Sequence, residues 1–93
     1  MIVAVLTVTL RAEWVHSLKE KRSVLKSLLA KIRNNFNVSA AETGAQDVHQ
    51  TLILSVAALA ADHRLADGVM ESILRFTEQN TDAEIVGAER EYR

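Results

Sequence analysis

Three histidines, His16, His49 and His63, are the side chains of this 93-residue chain best suited to proton transfer or metal ligation near neutral pH. No two of them stand at i, i+3 or i, i+4, the spacings that put a pair of ligands on one helix face. They predict no metal site. The chain contains no cysteine, which excludes disulfides, thiolate metal centres and cysteine nucleophiles. His16 lies near Ser17 and Glu20, a group that could pass a proton, but no further residue orients the imidazole. Ser17-Leu18-Lys19-Glu20 has a simpler reading as a capping box. The Ser17 hydroxyl would accept from the Glu20 amide, and the Glu20 carboxylate would reach back to the Ser17 amide. Glu42 and Asp47 flank a turn and read as solvated carboxylates. The expectation is a protein with no catalytic residues, metal or small-molecule cofactor.

Binding chemistry is better represented. Net charge is −1, yet residues 1–45 hold seven Lys/Arg against three Asp/Glu, and residues 46–93 hold four against nine. The chain is therefore polarised along its length. On a helical wheel Lys19, Arg22, Lys26 and Arg33 fall within about 60° of one another, with no acidic residue among them. Such a ridge suits phosphates or an acidic protein, though a solvated face would have the same composition. Lys21 falls instead inside the apolar sector. Its ammonium either snorkels past the end of the sheet or pairs with a carboxylate, for instance across a subunit contact. Trp14, the single tryptophan, precedes this basic segment and is a candidate contact residue, or else a lid on the core.

These side chains need elements to hold them. Residues 2–10 alternate Ile2, Ala4, Leu6, Val8 and Leu10 with Val3, Val5, Thr7 and Thr9, a β-branched pattern that predicts a central strand. Behind Ser17, the residues Leu18, Leu25, Leu28, Leu29, Ile32 and Phe36 span about 100° of a wheel, as on a helix lying on a sheet. Asn34, Asn35 and Asn37 are plausible stop signals. Residues 36–42 (FNVSAAE) predict a short edge strand and residues 43–47 a turn. Residues 50–61 (QTLILSVAALAA) are apolar on both faces, as in a buried central strand. Their Ala-rich end also permits a single helix running on to Phe76, but Thr51, Ile53 and Val56 favour strand, and Asp62 is a good N-cap for a new helix. That second helix covers residues 63–79, with Leu65, Ala66, Val69, Ile73 and Phe76 inward and Met70 and Leu74 widening its apolar sector. Residues 83–92, diluted by Glu84, Glu89, Arg90 and Glu91, close the chain as an edge strand.

The order β-α-β-β-α-β with right-handed crossovers gives a split βαβ domain of the α+β class over residues 1–93. It is a four-stranded antiparallel sheet with both helices on one face. The opposite face stays uncovered, and Val3 and Val5 point there. Together with Met70 and Leu74 they predict a homodimer or higher assembly. Base-stacking sheets of this architecture need aromatics on the central strands, and these strands have none. A phosphate-cradling first connection needs glycine, and residues 11–17 (RAEWVHS) have none. The apolar start MIVAVLTVTL lacks a basic leader and a cleavage site, so it reads as strand and not as a signal peptide. The other long apolar run, residues 51–61, is too short to span a bilayer. A cytoplasmic location with no membrane contact is expected.

At HSLKEKR (residues 16–22), followed by FNVSAAE (residues 36–42), the sequence resembles the YlxP-like family, small bacterial proteins also described as a domain of unknown function. The shared pattern falls on Ser17, Leu18, Lys19, Lys21 and Arg22, and on Phe36, Asn37 and Val38. The resemblance implies a ferredoxin-like fold. It also implies a setting near translation, since the genes of the family often neighbour those for translation initiation and ribosome maturation. It offers no established catalytic residues. Two departures stand out: Val48-His49 where a Trp often follows the Gln-Asp pair, and Glu13-Trp14 where a proline is common. The combined expectation is a non-catalytic accessory protein whose first helix meets ribosomal RNA or a translation-machinery protein. The alternative is a homo-oligomeric interaction module with no nucleic-acid role.

Overall fold

A computed structural model describes all residues 1–93. The elements run β1 (Ile2–Arg11), α1 (Leu18–Asn35), β2 (Ser39–Gly44), β3 (Thr51–Ala60), α2 (His63–Gln79) and β4 (Glu84–Tyr92). The sheet order is β2-β3-β1-β4, with every neighbouring pair antiparallel. This is the ferredoxin-like α+β fold, with β1 and β3 central and both helices on one face. Residues 51–60 are strand, so the continuous-helix alternative is overturned.

Alternation along the two central strands makes the core. Ala4, Leu6, Val8 and Leu10 of β1 and Leu52, Leu54, Val56 and Ala58 of β3 are buried under Ala66, Met70 and Ile73 of α2 together with Leu25, Leu28, Leu29 and Ile32 of α1. The opposite residues of these strands are half-buried at most, and Leu59 is 67% exposed.

Local signals set the helix starts. Ser17 Oγ accepts from the Glu20 amide at 3.1 Å, and Asp62 Oδ1 accepts from the Leu65 amide at 2.9 Å. Only half of the expected capping box forms, because the Glu20 carboxylate does not return to the Ser17 amide. The helix α1 ends at Asn35, with the Phe36 amide donating to Ile32 O at 2.9 Å.

Three expectations need correction. Strand β2 begins at Ser39, three residues later than predicted, because Phe36 caps α1 and packs its ring edge-to-face on Phe76 at 5.4 Å. The inward line of α2 is Ala66, Met70, Ile73 and Thr77, while Leu65 is 55% exposed. Thr77 tolerates burial because its hydroxyl donates to Ile73 O at 2.8 Å. Met70 has no exposed surface, so it cannot belong to an oligomer interface, and Leu74 is only half-buried at the flank.

Candidate functional site

Lys21 lies on the covered side of the sheet, in the first turns of α1, with 2% of its surface exposed. Its stripe position aims it at the end of the β2–β3 hairpin. Glu42 pairs with Leu54 across the ladder and so shares the covered face. The ammonium donates to Ala45 O at 2.5 Å and Val48 O at 2.7 Å, and Glu42 Oε2 stands 3.0 Å away. Glu42 Oε2 makes no aligned hydrogen bond, so its contact with Lys21 is an ion pair by proximity. Charge and donors are thereby matched without solvent, which is what a buried ammonium requires.

Of the two readings of Lys21, the carboxylate pairing is the one seen and snorkelling is not. The carboxylate belongs to the same chain and not to a partner subunit, and the buried ammonium is not available as a contact for an outside partner. Glu42 is accordingly no solvated turn residue. The hairpin bends to meet Lys21 through Ala45, whose φ of 52° is left-handed.

The residues that the sequence offered for proton transfer lie apart. His16 is exposed, and His16, Lys21 and Glu42 line no common cleft. The His63 ring packs against Tyr92 at 5.3 Å. No three His, Asp or Glu side chains are grouped closely enough to hold a metal ion.

The outward face of α1 is different. Lys19, Arg22 and Lys26 are exposed and stand on one edge, and Lys31 is exposed further round. None of the four lies within 4.0 Å of a carboxylate, since the ion pairs of the molecule are Arg11–Glu13, Lys21–Glu42, Arg90–Glu71 and Arg93–Glu91. The guanidinium of Arg33 is partly committed, donating to Ala40 O of β2. The predicted ridge thus exists, with Arg33 doubling as a tie between α1 and the sheet edge.

Trp14 is 42% exposed and borders the flank of α1 that carries Lys31, well round the helix from Lys19, Arg22 and Lys26. Ala12 and Val15 are fully buried on either side of it, and the Val15 amide donates to Ala12 O at 3.2 Å, so a tight turn fixes the indole at the rim. The indole borders a cleft of about 340 Å³ between α1 and the α2–β4 connection, shared with Ser23, Ser27, Lys31 and Asp82. These residues come from three distant parts of the sequence, which is why no spacing motif announces them.

The comparisons with known proteins supply a family. The model of the family described as "Protein of unknown function (DUF503)" matches residues 3–90. A relative from Bacillus subtilis (strain 168), "Uncharacterized protein YlxP", is 37% identical over 68 residues, covering 73% of this chain and 74% of the relative. The chain belongs to the DUF503 family, the YlxP-like proteins. Among solved structures, a mutant of SnoaB, a cofactor-independent oxygenase from Streptomyces nogalater, aligns over 98% of this chain and 90% of its own. Its TM-score is 0.46 and its identity 12%.

Proposed function

We propose that this protein is a non-catalytic accessory factor of the cytoplasm that holds RNA on the outward face of α1. The observation that carries the reading is the edge formed by Lys19, Arg22 and Lys26, all exposed and none matched by a carboxylate of the chain. A rigid helix presenting unpaired cations offers phosphates a preformed partner, and displacing their counterions drives the association. The chain is otherwise slightly acidic, so this face stands out from its surroundings. The setting implied by the family resemblance makes ribosomal RNA, or an acidic protein bound to it, the natural counterpart.

Fluorescence polarisation of labelled ribosomal RNA fragments tests this. The triple variant K19A/R22A/K26A should bind at least about tenfold more weakly while its thermal midpoint falls by no more than about 6 °C, because surface substitutions of this kind cost less than about 0.5 kcal/mol each. Equal affinity of the variant and the parent would contradict the reading.

A second reading, self-association through the uncovered sheet face, is favoured by Leu59, which is 67% exposed beside Val3 and paired with it across the ladder. Val5 and Ala57 extend the same apolar strip. Sedimentation velocity across a concentration series separates the two readings. A dimer disrupted by L59E supports association through this face, and a monomer throughout excludes it.

A further inference from the structure

Phosphate contacts hold a polyanion without reading its bases, and in single-stranded RNA the bases remain free to stack on aromatic rings. The sheet offers none. Phe36 and Phe76 pack on each other, and Tyr92 packs on His63 and donates its hydroxyl to Asp67. Trp14 alone has no aromatic partner, and it is part-exposed on the wall of a cleft.

The cleft beside it is fitted with polar groups that the fold leaves unused. Val24 and Leu28 floor it, and Ser23 and Ser27 present hydroxyls with no hydrogen bond inside the protein. Asn80 is fixed by its Nδ2 donating to Phe76 O at 2.8 Å, which leaves its side-chain oxygen free. Asp82 and Lys31 face the same space without an ion pair to each other or to any other residue. An acceptor carboxylate, an amide oxygen, two hydroxyls and one ammonium around an indole face match the exocyclic amine, ring edge and phosphate of a nucleotide. At about 340 Å³ the cleft is of ligand size.

The geometry points to this cleft as a nucleobase site, taking an unpaired base of single-stranded RNA on Trp14 with its phosphate on Lys31. The inference rests on the RNA reading above and narrows it, because a stacked base must be unpaired and a duplex would meet only the cations of α1.

Because Trp14 is the single tryptophan, its emission reports on the cleft directly. Titration of the full chain with oligoadenylate and oligouridylate should quench that emission saturably. A duplex of the same length should bind by polarisation without quenching. W14A should weaken single-strand binding about tenfold, W14F should restore most of it, and both should leave duplex binding unchanged. K31A should lower single-strand affinity with a smaller salt slope.

Single strands that bind without quenching, or with equal affinity to W14A, overturn the base site while leaving the α1 reading intact. Absence of binding by both RNA forms removes the two together. Quenching by free AMP at lower concentration than by the oligomers also overturns the assignment, in favour of a mononucleotide site.

Discussion

Lys21 shows how one residue can fix the position of a hairpin. Its ammonium gathers the carbonyls of Ala45 and Val48 and the carboxylate of Glu42, drawing the 45–50 loop onto the start of α1. K21M keeps the aliphatic stem but strands a largely buried carboxylate and two carbonyls. Removing one partner of such a pair costs about 3 kcal/mol, and urea denaturation should record a loss near that size. Adding E42Q should recover part of it, since no charge is then left unpaired. A K21M variant within about 0.5 kcal/mol of the parent would contradict the account. Ala45 next door bears the strain of the same geometry in its left-handed backbone. Glycine relieves that strain, so A45G should stabilise by up to about 1 kcal/mol, net of the entropy it adds to the unfolded chain. A lower urea midpoint for A45G would show that the strain argument fails.

Tyr92 closes the other end of the sheet. Its hydroxyl donates to Asp67, and that hydrogen bond to a carboxylate holds the phenol above its ordinary pKa range. The folded value is raised, so the contribution to stability is complete below the ordinary tyrosine pKa and is lost as pH rises through the folded value. Ultraviolet titration of this single tyrosine should give a midpoint that D67N returns toward that of free tyrosine. An unchanged midpoint in D67N would remove Asp67 as the cause.

Among the elements, α1 and α2 share one architecture but not one surface. The edges of α1 beside its Leu25, Leu28, Leu29 and Ile32 stripe carry cations without carboxylate partners, whereas α2 alternates Arg64, Asp67, Glu71, Arg75 and Glu78. The apolar stripe of α1 is readable from sequence because its leucines leave little choice of phase. The phase of α2 is not, because Leu65, Val69, Met70 and Leu74 allow several. The deciding residue, Thr77, reads as polar until its hydroxyl is seen to bond its own helix. A similar ambiguity starts β2 too early: FNVSAAE has strand character throughout, but Phe36 is taken by the aromatic contact with Phe76. Phe36→Ala should cost about 3 kcal/mol by removing that edge-to-face pair and its packing, measurable in urea. A loss below about 1 kcal/mol would show that the ring anchors nothing.

At the scale of the whole molecule, the order of elements and the central placing of β1 and β3 follow from strand periodicity and crossover handedness, which are properties of contiguous sequence. The Lys21–Glu42 pair and the Trp14 cleft do not, because each joins segments whose spacing depends on how the loops settle. The position of Lys21 inside an apolar stripe is the one local sign of the first. The molecule that results has a buried lock at one end of its hairpin, a covered sheet face, a mildly apolar uncovered face and one unpaired basic helix. No helix in it is long and apolar enough to cross a membrane.

The salt dependence of RNA affinity tests the central claim most directly. For single-stranded RNA held by Lys19, Arg22, Lys26 and Lys31, log affinity should fall against log salt with a slope of about −3. The K19A/R22A/K26A variant should retain a slope of about −1. An affinity that does not change with salt, or a slope that stays near −3 after the triple substitution, would mean that the cations of α1 do not hold the RNA.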